Sequence, residues 1–440
     1  MDIPYIERAK PDEVKKIQTK LLRDVVNRVY NNSKFYREMF HENNLSPFDI
    51  KTIEDLRKIP FTTKDDLKKR NWDFLCVSNE KIVDIVASSG TTGNPTYITL
   101  TKNDTERLAS NEEKSFLCAG ATSSDIFQLL ITLDGMFTAG MAFYRGITRL
   151  GACALRVGPG NSEMHLRLMK ELKPNGVVGV PSFMLRLEEV ANQEGIDISS
   201  FNLEKGMFVA EALRNQDMSL NKLGKKIEDS WGIELFSTYG STEIETSFCE
   251  CTKHTGLHMH PDLVIIEVLD KNGEPVEDGE YGELVVTTLQ TEGMPFLRFE
   301  SGDVTFLMTD ECECGRTATR IGPILGRMDH MMKVKGTNVY PGHIENVLMS
   351  FPEVDDYVIE TYTGNDFSDK IIVKIATKKP SKSLEESIKE SFKALIRTTP
   401  DVSLTSLDEI KKIQFAHGER KPRKFIDKRK KKKFYRDEDK

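Results

Sequence analysis

Cysteine is scarce in this chain, with seven residues in 440, too few for a disulfide scaffold. No run of about 18 apolar residues is present to cross a bilayer. The opening Met1-Asp2-Ile3-Pro4-Tyr5 lacks the apolar core of a secretory signal, so the reducing cytoplasm is the expected compartment. Strong net charge is missing too: 62 Lys+Arg against 69 Asp+Glu leave -7, and 38% hydrophobic residues exclude a disordered acidic chain. The charge is nonetheless uneven. Residues 417–440 hold 12 Lys/Arg and 5 Asp/Glu, a net of +7. A basic tail on an acidic body suits a solvated terminus or an anionic phosphate ligand. RNA binding is the less favoured reading, because only Phe434 and Tyr435 follow the run Lys428 to Lys433 and no stacking platform precedes it. Neither nucleic acid nor membrane is expected as a partner.

Three regimes follow one another along the chain. Val14, Ile17, Leu21, Leu22, Val25, Val26 and Val29 recur at three- and four-residue steps, which places them on one helix face. The helical start extends over 1–83, with Thr62 or Thr63 as N-cap of a later helix. Beyond it, short apolar runs alternate with helical stretches: Leu129-Leu130-Ile131, Val177-Val178-Gly179-Val180, Met207-Phe208-Val209 and Leu235-Phe236. That alternation predicts a layered α/β body with a largely parallel sheet. Residues 263–289 read as β-rich, with Asp270-Lys271-Asn272-Gly273 as a turn. From Met328 the pattern is α+β, with a helix opening on Pro341 and strands at Tyr357-Val358-Ile359 and Ile371 to Ile375. The expected fold class is therefore α/β: a large body over 1–327 with a β-rich subdomain, and a small α+β domain over 328–440.

The most informative segment is Ser88-Ser89-Gly90-Thr91-Thr92-Gly93-Asn94-Pro95-Thr96. Gly90 and Gly93 let backbone N–H groups face a phosphate without a Cβ in the way, and the hydroxyls add donors. The spacing is not that of a Walker loop. Further along stand Asp134-Gly135-Met136-Phe137-Thr138, Tyr239-Gly240-Ser241-Thr242-Glu243, Arg298-Phe299-Glu300-Ser301-Gly302-Asp303 and Gly326-Arg327-Met328-Asp329. A basic run, Lys421-Pro422-Arg423-Lys424-Phe425-Ile426-Asp427, closes the series.

Taken in this order, the segments resemble the motifs of the adenylate-forming superfamily of acyl-CoA synthetases, and within it the phenylacetate-CoA ligase family. The resemblance runs over nearly the whole chain. It implies an AMP-forming acid-thiol ligase of phenylacetate catabolism that uses ATP, Mg²⁺ and coenzyme A with a small carboxylic acid. Carried over motif by motif, Ser88 to Gly93 would hold the β- and γ-phosphates and Thr242 the α-phosphate. Glu243 would bind Mg²⁺, a hard cation that prefers oxygen. Asp303 and Arg327 would take the ribose, with Tyr239, Gly240, Ser241 and Glu211 around the adenine. Lys421, with Lys424 as alternative, would reach the α-phosphate and the attacking carboxylate. The C-terminal domain would be mobile about a hinge at Asp329. Two departures stand out: Asn94 where the family has Lys, and His330 where it has a second hinge acid. A nucleotide-binding module without catalysis is the alternative of another class.

Phe137, Phe183 and Phe236, with Phe143 and Tyr144, are candidate walls for an aromatic acid. They favour phenylacetate, with another aryl or hydrophobic acid as the alternative. The cysteines suggest a second site. Cys251 precedes His258 by seven positions and Cys312-Glu313-Cys314 follows. Three thiolates and an imidazole suit structural Zn²⁺, as related ligases with a similar arrangement imply. Cys249, His254 and His260 compete as ligands. Assembly is open, with a homodimer among the options.

Overall fold

The computed structural model describes residues 3–88, 95–334, 337–364, 369–396, 398–416 and 422–429. Two compact units divide the chain: Met1–Ser301 with Thr305–Pro323, and Gly302–Val304 with Ile324–Lys440.

The first unit begins with the predicted helix, Pro11–Asn32, whose proline occupies the first turn where no N–H is needed. Leu22, Val25, Val26 and Val29 are its buried face. Thr63 caps the helix Lys64–Arg70: its hydroxyl accepts from the Asp66 N–H at 3.0 Å, and the Asp66 carboxylate accepts from the Thr63 N–H at 3.0 Å. A hairpin follows, strands β1 (Ile82–Ala87) and β2 (Tyr97–Thr101), antiparallel with Ala87 opposite Tyr97.

The central sheet is built next. Its strands are β3 (Ile126–Leu129), β4 (Cys153–Arg156), β5 (Gly176–Gly179), β6 (Lys205–Phe208), β7 (Glu234–Ser241), β8 (Thr246–Glu250) and β9 (Leu257–His258). An antiparallel pair, β10 (Val264–Leu269) with β11 (Gly282–Thr288), forms the β-rich part. Asp270 makes the predicted turn, its carboxylate accepting from the N–H groups of Asn272 and Glu274 at 2.8 and 2.9 Å. After β12 (Phe299–Thr305) come β13 (Leu307–Met308) and β14 (Arg320–Ile321). The central order is β13-β14-β9-β8-β7-β6-β5-β3-β4. From β7 to β4 the neighbours run parallel, and from β7 to β13 antiparallel.

Helices Thr138–Leu150, Ser162–Leu172, Pro181–Gln193 and Lys222–Trp231 connect the parallel strands and cover them. One apolar cluster gathers Leu166, Met184, Leu187, Phe208, Ile227 and Trp231. Another gathers Phe116, Phe127, Phe143, Ile147 and Phe236. Strands β3 and β5 are neighbours, and the connection from β3 runs outward to β4 whereas that from β5 runs the other way to β6. Such a reversal marks the carboxyl ends of the strands as the place where α/β sheets take their ligands.

In the second unit, β15 (Gly326–Arg327) pairs with residues 303–304, and β16 (Met332–Val334) with β17 (Thr337–Val339). The helix Pro341–Leu348 opens on its proline as expected. Strands β18 (Asp356–Thr363) and β19 (Asp369–Ala376) form the core of a sheet ordered β20-β19-β18-β21, with β20 (Asp401–Thr405) and β21 (Phe425–Asp427) pairing in parallel at its edges.

Candidate active site and metal centre

Hairpin β1–β2 frames the Gly-rich segment. The Ser88 N–H donates to the Thr96 carbonyl at 2.9 Å, and the two hydroxyls lie 2.7 Å apart. Ser89, Gly90, Thr91, Thr92 and Gly93 lie outside the described residues, as do Asn94 and Lys421.

Tyr239, Gly240 and Ser241 end β7, and Thr242 and Glu243 occupy the turn into β8. Gly240 is required there, because a Cβ at this position would stand 2.8 Å from the Thr246 carbonyl. Glu243 is 6% exposed, yet its side chain makes no hydrogen bond or ion pair among the described residues. An exposed salt-bridge role is therefore excluded. Its carboxylate oxygens are not sealed from solvent, so the group is open to a cation brought by a ligand. Tyr239 is half-buried with its ring 5.8 Å from that of Phe248.

The exit of the same turn is held from behind by Arg107. Its guanidinium, 7% exposed, donates to the carbonyls of Glu245, Leu263 and Leu289 at 2.5, 2.6 and 2.8 Å, and to the Thr246 hydroxyl at 2.9 Å. Glu245 is in the left-handed region, φ 48°, and burial pushes its carboxyl well above the usual range. Nothing in the spacing of the sequence points to Arg107. Glu211 stands beyond the end of β6, where its carboxylate accepts from the Ser182 N–H and hydroxyl, both at 2.8 Å. That contact ties it to the start of the helix after β5.

The predicted aromatic walls separate. Phe137 is 36% exposed and borders a cavity of about 230 Å³ with Val86, Leu133, Met136 and Met141. Phe183 is half-buried in the first turn of the helix after β5. Phe236 and Phe143 are corrections: exposed by 0% and 2%, they pack inside the core cluster with Phe116 and Phe127. On β7, strand alternation aims Phe236 into the core.

In the second unit, Asp303 and Arg327 sit opposite each other, with a guanidinium nitrogen 3.9 Å from the carboxylate. Gly302 has φ 77°, and a Cβ there would stand 2.7 Å from the Arg327 guanidinium. Asp329 is exposed, its carboxylate 3.6 Å from Arg327. Arg429 donates to the Asp329 and Met331 carbonyls at 3.0 and 2.7 Å and pairs with Asp369 and Asp427. Lys424, the alternative to Lys421, lies 3.5 Å from the Asp356 carboxylate and over the Tyr357 ring at 4.6 Å. The first residue of the Arg298–Asp303 motif belongs to the other unit and is structural: Arg298 forks onto Glu267 at 3.0 and 3.1 Å.

Cys251, His258, Cys312 and Cys314 converge, their ligand atoms all within 4.8 Å of one another. The Cys251 and Cys312 sulfurs are 3.7 Å apart, and the Cys314 sulfur is 3.6 Å from His258 Nε2. Tetrahedral zinc with ordinary bond lengths requires about 3.8 Å between two thiolates and about 3.6 Å between thiolate and imidazole. The donor set and its size therefore fit Zn²⁺. The competing ligands are engaged elsewhere: Cys249 packs in the core, His254 pairs with Glu250 and Glu234, and His260 with Glu7.

Glu7 was not legible as a site residue. It is 0% exposed, accepting from His260 Nδ1 at 2.6 Å and Arg316 Nε at 2.7 Å. Against the opposing effect of burial, His260 and then Arg316 hold its carboxyl down at about 2. A depressed acid stabilises the fold above its unfolded pKa and loses that contribution as pH falls through the folded value. Glu7 is therefore expected to contribute about 3 kcal/mol near neutrality, lost between pH about 4.5 and about 2. The denaturation midpoints of wild type and Glu7→Gln should converge across that window, and a constant gap would refute the assignment.

Residues 26–292 match the AMP-binding enzyme family, and residues 336–429 the AMP-binding enzyme C-terminal domain. Phenylacetate-coenzyme A ligase of Thermus thermophilus is 34% identical over 356 residues, 80% of this chain and 78% of the relative. That of Escherichia coli is 31% identical over 423 residues, 92% and 94% of the two chains. The chain belongs to the phenylacetate-coenzyme A ligase family of AMP-binding enzymes. It is thus an AMP-forming acid-thiol ligase. Among solved structures, a 2-hydroxyisobutyryl-CoA ligase in complex with 2-HIB-AMP shares the fold, with TM-score 0.84 at 23% identity over 96% of this chain and 91% of that one. The ligase has no helix among its described residues long and apolar enough to cross a membrane.

Proposed function

We propose that the acid is phenylacetate, with another aryl or hydrophobic carboxylic acid as the second reading. The reaction has two halves. A carboxylate is a poor acyl donor because its leaving group would be oxide. Attack of its oxygen on the α-phosphorus of ATP expels pyrophosphate and gives an acyl-adenylate. The coenzyme A sulfur then attacks the acyl carbon, the C–O bond to AMP breaks, and the thioester forms. Charge develops on phosphoryl and acyl oxygens in both halves, so fixed donors and cations dominate catalysis.

One observation carries the site: Glu243, without a hydrogen bond or ion pair among the described residues and with its carboxylate open to solvent, next to Thr242 in the turn after β7. On this reading Glu243 would hold Mg²⁺, which neutralises phosphate charge when bound. Thr242 would donate to the α-phosphate, and residues 88–93 would cradle the β- and γ-phosphates. Asp303 would accept from the ribose hydroxyls and Arg327 would donate to the ribose. Tyr239 and Glu211 would border the adenine. Lys421 is favoured over Lys424 because the Lys424 ammonium is engaged by Asp356 and Tyr357. The hinge is proposed at Asp329. Phe137 and Phe183 remain as candidate walls of the acid pocket. Cys251, His258, Cys312 and Cys314 would hold a structural Zn²⁺. All seven cysteines are free, which supports a reducing cytoplasmic setting.

A panel of carboxylic acids assayed for coenzyme A-dependent AMP release tests the substrate. Phenylacetate should give the highest kcat/KM, and preference for a short aliphatic acid would refute the aryl assignment. Replacing Lys421 by alanine should lower acid-dependent exchange of pyrophosphate into ATP about a hundredfold, and undiminished exchange would remove Lys421 from the reaction.

A further inference from the structure

We propose that the metal centre fastens the N-terminal segment to the body, with Glu7 as the positioning residue that joins the two; this rests on the zinc reading above. Among the described residues, the Glu7 carboxylate is gripped by two cation-forming side chains, His260 and Arg316. Each stands two positions beyond a metal ligand, His260 after His258 and Arg316 after Cys314. Arg316 also donates from its terminal nitrogen to the Cys314 sulfur at 3.6 Å. A zinc ion with three thiolates and one imidazole carries a net charge of about -1. Arg316 stands between two anions, that centre and the Glu7 carboxylate, and so links them.

The backbone repeats the connection. The turn from Cys312 to Arg316 is closed by the Cys312 N–H on the Arg316 carbonyl at 3.1 Å and the Gly315 N–H on the Cys312 carbonyl at 2.9 Å. The next residue, Thr317, donates its N–H to the Glu7 carbonyl at 2.8 Å and its hydroxyl to the Ala9 carbonyl at 2.6 Å. Gly315 faces Ile3, whose Cδ1 lies 3.4 Å from where a Cβ would stand. One turn thus presents two thiolates on one side and docks the N-terminal segment on the other. Order imposed on the turn by the metal favours docking, and docking favours metal retention by the same factor.

Two measurements on the full-length protein test this. Glu7→Gln keeps the volume and removes the charge. It should release zinc to a chromophoric chelator about tenfold faster than wild type, with amide exchange across residues 3–9 accelerated to match. Stripping zinc from the wild type should accelerate exchange in that same peptide, which contains no ligand. Thr317→Val, which unbalances no charge, should speed zinc release roughly fivefold. Zinc release from both variants at the wild-type rate, or an N-terminal peptide still protected after zinc is stripped, would overturn the coupling. Purified protein without zinc would overturn the metal reading itself, a separate result.

Discussion

Glu243→Gln will slow the exchange of pyrophosphate into ATP about a thousandfold, with zinc content and thermal midpoint unchanged. The substitution keeps the side chain's volume, so packing around a residue that is 6% exposed is preserved. No hydrogen bond or ion pair among the described residues is lost, because the carboxylate makes none. What disappears is a negative charge positioned by a rigid turn. Gly240 enters that turn against the Thr246 carbonyl, and Arg107 grips its exit at Glu245 and Thr246. A neutral amide is a poor ligand for a hard divalent cation, so the Mg²⁺ concentration giving half-maximal exchange should rise as the maximum falls. Exchange within about threefold of wild type would mean that the Glu243 charge serves something other than the phosphates.

Much of this arrangement is legible in the sequence, for a physical reason. Strands buried on both faces read as continuous apolar runs. Val177 to Gly179, Met207-Phe208 and Leu235-Phe236 accordingly fall within β5, β6 and β7. Pro341 and Thr63 mark their helix starts because each answers a local backbone need. The misses are tertiary. Phe143 and Phe236 are aromatic like Phe137, but composition does not say which face of an element meets the core. Cys249 and Cys251 are two apart on the chain; Cys249, within β8, packs in the core, whereas Cys251 lies just beyond the strand's end and joins the ligand set. Arg107 and Glu7 carry no motif at all. Their partners lie at least 138 residues away for Arg107 and 253 for Glu7, and only the fold brings those together. The two-residue strands β9, β13 and β14 are too short for any periodicity to reveal.

The same tertiary logic sets the second large effect. Cys251→Ser should leave the protein with well below one zinc per chain and destabilise the first unit by about 3 kcal/mol or more. A serine hydroxyl is a poor zinc ligand, and the three remaining donors would be left close together without the ion that reconciles them. Cys312 lies 3.7 Å from the lost sulfur, and Cys314 faces His258 at 3.6 Å. His258 Nδ1 has no partner of its own among the described residues, so the imidazole depends on its Nε2 side for orientation. If these were instead four ordinary buried thiols, the replacement would cost only about 1 kcal/mol and chelators would not change wild-type stability. Zinc quantification with denaturation of both proteins, before and after chelation, separates the cases. The carboxylate turn after β7 holds none of the four ligands, so pyrophosphate exchange by the surviving folded variant should persist at low temperature while its lifetime on heating shortens.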